Sequence, residues 1–349
     1  MKAAVYEGLG QLRLRELADP QLSDADSLIL RVHACAVCGS DIRILRYGNP
    51  RVHPPQIIGH EVAGEVVEVG ANVTRFRVGD RVAVGADVPC GVCEWCREGL
   101  ANNCETNYAI GYQFPGGFAQ YMMLNALTVR LGPVHHIPAE LTYDEATLAE
   151  PLGCCINGLE QSRLQLGDTV VVIGAGPAGC MLMRLARLFG ATRVLAIQRS
   201  RQRLWAAQEL GQADEVICSQ DVDPVQAVWD LTRGRGADVV ITANASVETH
   251  EQALRMVRNR GRINFFGGLP GGSRPIALES NLVHYKELCI TGCHGSIARQ
   301  HRLALEILAR RAIEPEPFIT HRFPLERIQE AFAVAEAHTG IKVVVHPWE

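Results

Sequence analysis

Four cysteines stand in the order Cys90-x2-Cys93-x2-Cys96-x7-Cys104, inside a glycine-bearing loop. Thiolates this close in sequence can close a tetrahedron around Zn²⁺ with bonds of about 2.3 Å, and a site with four protein ligands keeps no open position, so its work is structural. Iron–sulfur clusters also take four cysteines, but the ferredoxin run is tighter at its end and followed by proline. Here no proline follows Cys104 and no second set exists, which favours zinc. Elsewhere, Cys38-Gly39-Ser40-Asp41 and Gly59-His60-Glu61 supply one thiolate and one imidazole. Catalytic zinc takes three protein ligands and leaves a fourth position for water or substrate, so a third ligand would have to come from another segment. Taken alone, each of the two is more often core filler than ligand.

A third constellation is Gly174-Ala175-Gly176-Pro177-Ala178-Gly179, which follows the apolar run 170–173 and opens an amphipathic helical stretch. In that context the glycines let a helix N-terminus receive a pyrophosphate, which predicts dinucleotide binding. An NAD enzyme normally carries Asp or Glu about 20 residues further on to bind the ribose 2′-hydroxyl. Gln198 holds that position, followed by Arg199, Ser200, Arg201, Gln202 and Arg203. No carboxylate repels a 2′-phosphate, and arginine can grip one with a planar fork. NADP(H) is therefore expected, with Arg199 and Arg203 as its contacts. If these arginines only form a solvated helix start, NAD serves as well.

Elements that position these groups can be read from periodicity. Up to about residue 130, short alternating runs (3–6, 27–32, 65–69, 81–84) broken by Gly, Pro and Asp predict a β-rich domain. From residue 167, candidate strands 169–173, 193–198, 214–217, 238–242, 262–266 and 288–291 alternate with helical stretches such as 178–189 and 202–210. Six strands with crossover helices predict a doubly wound parallel sheet, so the fold class is α/β. A last apolar segment, 341–345, lies beyond helical stretches 300–310 and 325–337 and is expected to return to the first domain. The predicted division is 1–150 with 294–349, and 151–293.

Composition narrows the function. With 349 residues, 47% hydrophobic and 21% charged, the chain resembles an average globular protein. A net charge of −4 without a dense basic run argues against a nucleic-acid partner. The most apolar stretch, 170–183, is too short and too rich in glycine to cross a membrane, and the N-terminus lacks a signal peptide's apolar core. Twelve cysteines in a long chain then read as thiols or metal ligands, and a cytoplasmic location is expected.

The run GHEVAGEVVEVGANV over 59–73, together with CGSD and the four-cysteine loop, resembles the zinc-containing medium-chain alcohol dehydrogenase family across nearly the whole chain. The resemblance implies a GroES-like catalytic domain, a Rossmann cofactor domain, and Cys38 and His60 as catalytic zinc ligands. It makes Glu61 their acidic neighbour or a transient ligand. Leu148-Ala149-Glu150-Pro151-Leu152 resembles the sorbitol (polyol) and threonine dehydrogenase branches, which makes Glu150 the third ligand. Cys154 and Cys155 lie near enough in sequence to compete. Together with the four-cysteine loop, two zinc ions per chain are expected.

In this family the hydroxyl two residues after the first ligand accepts the alcohol proton, and Ser40 occupies that place. The histidine that ends the relay in many relatives is replaced by Arg43, and a guanidinium does not deprotonate. The proton must leave another way, through water or His53. Sorbitol dehydrogenases hold the polyol with an Arg-Tyr pair where this chain has Gly295-Ser296, which argues against sorbitol itself; His294 and Ser296 belong to a segment that in relatives lines the cleft or a subunit contact.

The expected activity is hydride transfer between NAD(P) and a secondary alcohol or ketone of a polyol, sugar or cyclitol, by a homodimer or homotetramer. Alternatives in the same family are a threonine or amino-alcohol dehydrogenase and a primary-alcohol or aldehyde reductase. The non-enzyme alternative is an NADP-binding redox sensor, which would typically have lost the metal ligands.

Overall fold

The computed structural model describes residues 1–349, which divide into two compact units, 1–154 with 295–349, and 155–294. The division falls within the helix Ala149–Gln161. No helix is long and apolar enough to cross a membrane.

In the first unit, seven strands form one sheet. Its main path runs Val134–His136, Arg81–Val84, Glu61–Val69, Leu28–Ala36, Lys342–His346 and Ile319–Pro324, with Tyr121–Leu124 paired to Leu28–Ala36. A smaller sheet joins Gln11–Glu16, Lys2–Gly8 and Gln56–Ile57. The strand Leu28–Ala36 is buried at most of its positions, and Leu28, Leu30, Val32, Ile58, Val62, Phe118 and Val345 share one apolar core.

Register explains how distant residues meet. Leu28–Ala36 and Glu61–Val69 are antiparallel, with Ala36 opposite Glu61 and Cys35 opposite Val62. One strand therefore ends just before Cys38 at the edge where the other begins just after His60. The C-terminal strand pairs antiparallel with the same end, Val344 opposite Ala36. The segment 341–345 thus belongs to the first unit.

The second unit is a parallel six-stranded sheet ordered Glu215–Cys218, Arg193–Gln198, Thr169–Ile173, Ala237–Thr242, Val257–Phe265 and Cys289–Gly292. In sequence order this is 3-2-1-4-5-6, the doubly wound arrangement, whose topological switch point lies beside the first strand. All six residues of Ala237–Thr242 are buried, as strands covered on both faces require. Arg262, in the strand Val257–Phe265, donates from Nη2 to both oxygens of the buried Asp168 (2.9 and 2.8 Å).

The stretch 202–210 is helical throughout but is not a regular α-helix. It is a 3₁₀ turn at Arg201–Arg203 followed by a π-turn at Ala206–Leu210. Gly211 N–H reaches back five residues to the Ala206 carbonyl, which also accepts from the Cys180 thiol at 3.3 Å.

Candidate active site and zinc sites

Four sulfurs gather in the loop 90–104. Cys93 Sγ lies 3.4 Å from Cys96 Sγ, and Cys90 Sγ 4.0 Å from it. A zinc tetrahedron with bonds of about 2.3 Å has sulfur–sulfur edges of about 3.8 Å, between those two values. Backbone N–H groups point at the sulfurs: Cys93 N to Cys90 Sγ at 3.4 Å, and Cys90 N to Cys104 Sγ at 3.2 Å. The N–H donors of Val92 and Cys93 draw the Cys90 thiol down to about 6, into the thiolate range. Burial, with the hydrogen bonds among neighbouring thiols, pushes Cys96 up to about 12. Crowded thiolates of this kind are a set that a divalent cation relieves, and the residues fit zinc.

A second cluster forms where the two antiparallel strands end. One ligand atom each from Cys38, His60 and Glu61 lies within 4.8 Å of the others. Cys38 caps the helix Gly39–Tyr47, and its backbone N–H donates to Asp41 Oδ2 at 2.9 Å. Asp41 is fully buried, with Oδ1 3.4 Å from His60 Nδ1, while His60 Nε2 is 3.2 Å from Ser40 Oγ. Gly59 makes the approach possible: its φ is +96°, and a Cβ there would lie 2.8 Å from both Cys35 Sγ and the Phe118 ring. Burial opposes a charge on His60, but Asp41 and Cys38 together outweigh it and hold the imidazole pKa well above its usual range. A thiol, an imidazole and a buried carboxylate gathered this closely fit a metal cation.

Glu61 is held by a partner that sequence reasoning missed. Lys342 Nζ lies 2.6 Å from its Oε1 and 2.5 Å from its Oε2, all of it buried, and also 3.4 Å from the Val37 carbonyl oxygen. Glu150 stands outside the trio. It is buried, accepts from Cys154 Sγ at 3.5 Å, and has its carboxyl pushed up to about 7. Burial is the main cause; Glu61 and Asp87 add to it, and His60 and Lys342 oppose it.

Other groups near the cluster were also missed. The Tyr112 ring lies 5.9 Å from that of His60, and burial raises its phenol pKa against the pull of His60 and a hydrogen bond with Ser40. Asp87 is buried and accepts from Ser296 N–H at 3.0 Å, which fixes the segment following His294. Arg43 and His53 are exposed. The signals were faint: Asp41 lies in the CGSD motif without an evident role, and Lys342 is a lone lysine in an apolar strand, one of three in a chain with 34 Lys and Arg.

In the second unit, Gly174 has φ +113°, and a Cβ on Gly179 would lie 1.9 Å from the Gly174 carbonyl oxygen. The helix Pro177–Leu188 starts with Gly176 as N-cap and Pro177 in its first turn, which leaves its N-terminal N–H groups for an anion. Gln198 Oε1 accepts from Ala175 N–H at 2.9 Å, tying the end of the second strand to the glycine-rich loop. Arg203 is half-buried, with a guanidinium nitrogen 3.7 Å from where a Gly176 side chain would begin. Arg199 is exposed, and Arg201 is paired with Asp221 at 2.9 Å.

Residues 24–134 match the alcohol dehydrogenase GroES-like domain family, and residues 177–310 match the zinc-binding dehydrogenase family. The chain is 32% identical over 343 residues to D-arabitol-phosphate dehydrogenase of Enterococcus avium, covering 97% of this chain and 94% of that one. It is 33% identical over 353 residues to sorbitol dehydrogenase of Bacillus subtilis, covering 99% and 97%. Its fold is similar to that of a zinc-binding dehydrogenase from Sinorhizobium meliloti bound to NADP, with a TM-score of 0.91, 31% identity and 99% of each chain covered. The chain belongs to the zinc-containing medium-chain alcohol dehydrogenase family as an NAD(P)-dependent alcohol dehydrogenase.

Proposed function

We propose that the chain interconverts a secondary alcohol and its ketone on a polyol, sugar or cyclitol, with two zinc ions per chain and a preference for NADP(H). The observation that carries this reading is the convergence of Cys38 and His60 on buried acidic side chains at the adjoining ends of two interior strands. The names of the two curated relatives support polyols, one of them phosphorylated. Cys38, His60 and Glu150 would hold the catalytic ion, and Cys90, Cys93, Cys96 and Cys104 the structural one. Both oxygens of Glu61 already lie against Lys342, whereas a cation beside Glu150 would restore its ionisation.

When bound, zinc supplies Lewis acidity to the alcohol oxygen and NAD(P) accepts the hydride. Ser40 Oγ would take the alcohol proton as its own hydroxyl proton passes on. Arg43 cannot pass it on, so it leaves through water or His53. Asp41 orients the His60 ring, and Lys342 fixes the Glu61 carboxylate in place. Gly174, Gly176, Pro177 and Gly179 would cradle the pyrophosphate, with Gln198 at the adenosine ribose. Arg199 and Arg203 would take the 2′-phosphate; Arg201 is less suited, because Asp221 neutralises it. A cytoplasmic homodimer or homotetramer completes the proposal, in keeping with twelve cysteines and no disulfide among them.

Initial rates with NAD⁺ and NADP⁺ against polyols, inositols, threonine and simple alcohols test the reading. Turnover confined to threonine, or none with metal bound, would overturn it. Arg203→Ala is expected to raise the KM for NADP⁺ about tenfold or more, the worth of a charge-assisted bond, and to leave that for NAD⁺ nearly unchanged. Equal effects on both cofactors would exclude a 2′-phosphate contact.

A further inference from the structure

Between Ile42 and His60 the chain has no carboxylate but three arginines and one histidine. Of these arginines, Arg46 is taken up by Glu336 at 2.6 Å, and Arg43 is exposed on the same helix. Arg51 differs from both. It is half-buried, it donates from Nη2 to the Asn107 carbonyl and stands 3.5 Å from Gln113 Oε1, and no carboxylate pairs with it. Its guanidinium carbon lies 5.1 Å from the centroid of the Tyr112 ring, and that same ring is 5.9 Å from the imidazole of His60. A fixed positive charge therefore sits one aromatic ring away from the cluster where the alcohol is to react.

A guanidinium has five N–H donors in a rigid fork, of which the protein engages one nitrogen here. Stacking on Tyr112 holds the plane still, so the remaining donors are presented without loss of rotamer freedom. Phosphate suits such a fork, and partial burial makes the attraction stronger than it would be in water. A neutral polyol gains little from it, because its hydroxyls bind water equally well.

Resting on the polyol reading above, we infer that Arg51, steadied by Tyr112, binds the phosphate of a polyol monophosphate whose hydroxyl reacts beside His60. Anchoring the end of the substrate that does not react uses remote binding energy to orient the carbon that gives up hydride.

The test compares kcat/KM for arabitol and sorbitol with that for their monophosphates, on the zinc-loaded enzyme. The wild type is expected to favour the monophosphates by about 100-fold, and inorganic phosphate should inhibit free-polyol oxidation competitively. Arg51→Met should shrink the preference about 10- to 100-fold through KM rather than kcat, with Arg51→Lys recovering part of it. A preference near unity in the wild type, no inhibition by phosphate, or a preference that survives Arg51→Met would each overturn the inference and leave the polyol reading standing. Turnover of neither the polyols nor their monophosphates would overturn both. The inhibition arm needs no variant, so it decides even if the substituted proteins fold poorly.

Discussion

Cys38→Ala is expected to lower kcat/KM by about 10³- to 10⁴-fold and to reduce bound zinc from two ions per chain to one. The estimate follows from the role of the ion: Lewis-acid stabilisation of the alkoxide is worth several kcal/mol, and each 1.36 kcal/mol is about tenfold in rate. Removing the thiolate leaves His60 and a carboxylate, too few ligands for a tight site. Folding should survive, because Cys38 lies at a helix N-terminus and is only partly buried, while its backbone bond to Asp41 does not depend on the side chain. Glu150→Gln is the informative companion. If Glu150 is a ligand, it too should release the catalytic zinc; retention of both ions and full activity would shift the third position to Glu61. Metal analysis beside steady-state rates separates these outcomes, and a Cys38→Ala protein with both ions and wild-type turnover would remove the catalytic site proposed here.

The parts legible in sequence are those whose physics is local. Four cysteines within fifteen positions, or glycines at fixed offsets after an apolar run, specify their geometry almost without the rest of the chain. Parallel strands buried on both faces also announce themselves as apolar runs, and Thr169–Ile173 and Arg193–Gln198 match the expected bounds. What stayed hidden depends on register and on long separations. Lys342 and Glu61 are 281 residues apart and meet only because the C-terminal strand pairs with the end of Leu28–Ala36. Asp41 is close to Cys38 in sequence, yet its contact with His60 requires two strand ends to coincide. The stretch expected to be helical over 202–210 is helical, but its winding as 3₁₀ and then π was not legible, since the Ala206 carbonyl that accepts from Gly211 N–H also takes the Cys180 thiol from a distant helix. Gly211 is itself dictated by packing, since a Cβ there would lie 2.4 Å from Met183 Sδ.

The division of labour between the two metal sites leads to the second large effect, on stability instead of rate. Cys104→Ser is expected to release the other zinc ion, lower the thermal midpoint by about 10 °C and leave kcat per folded molecule within about twofold. A structural zinc returns binding free energy to folding, about 10–16 kcal/mol in isolated zinc-finger peptides, of which a loop on a stable core loses only a part. A loss of several kcal/mol at about 2–4 °C each gives the midpoint shift. Cys104 is the buried member of the four, and its sulfur accepts the Cys90 N–H, so the serine also weakens the turn that brings the other three together. Calorimetry and zinc content, read with turnover normalised to folded protein, make the separation visible. Were Cys104→Ser to abolish turnover while the fold and the Cys38 site stayed intact, the loop would have to act in catalysis, and a closed four-thiolate site has no vacancy through which it could.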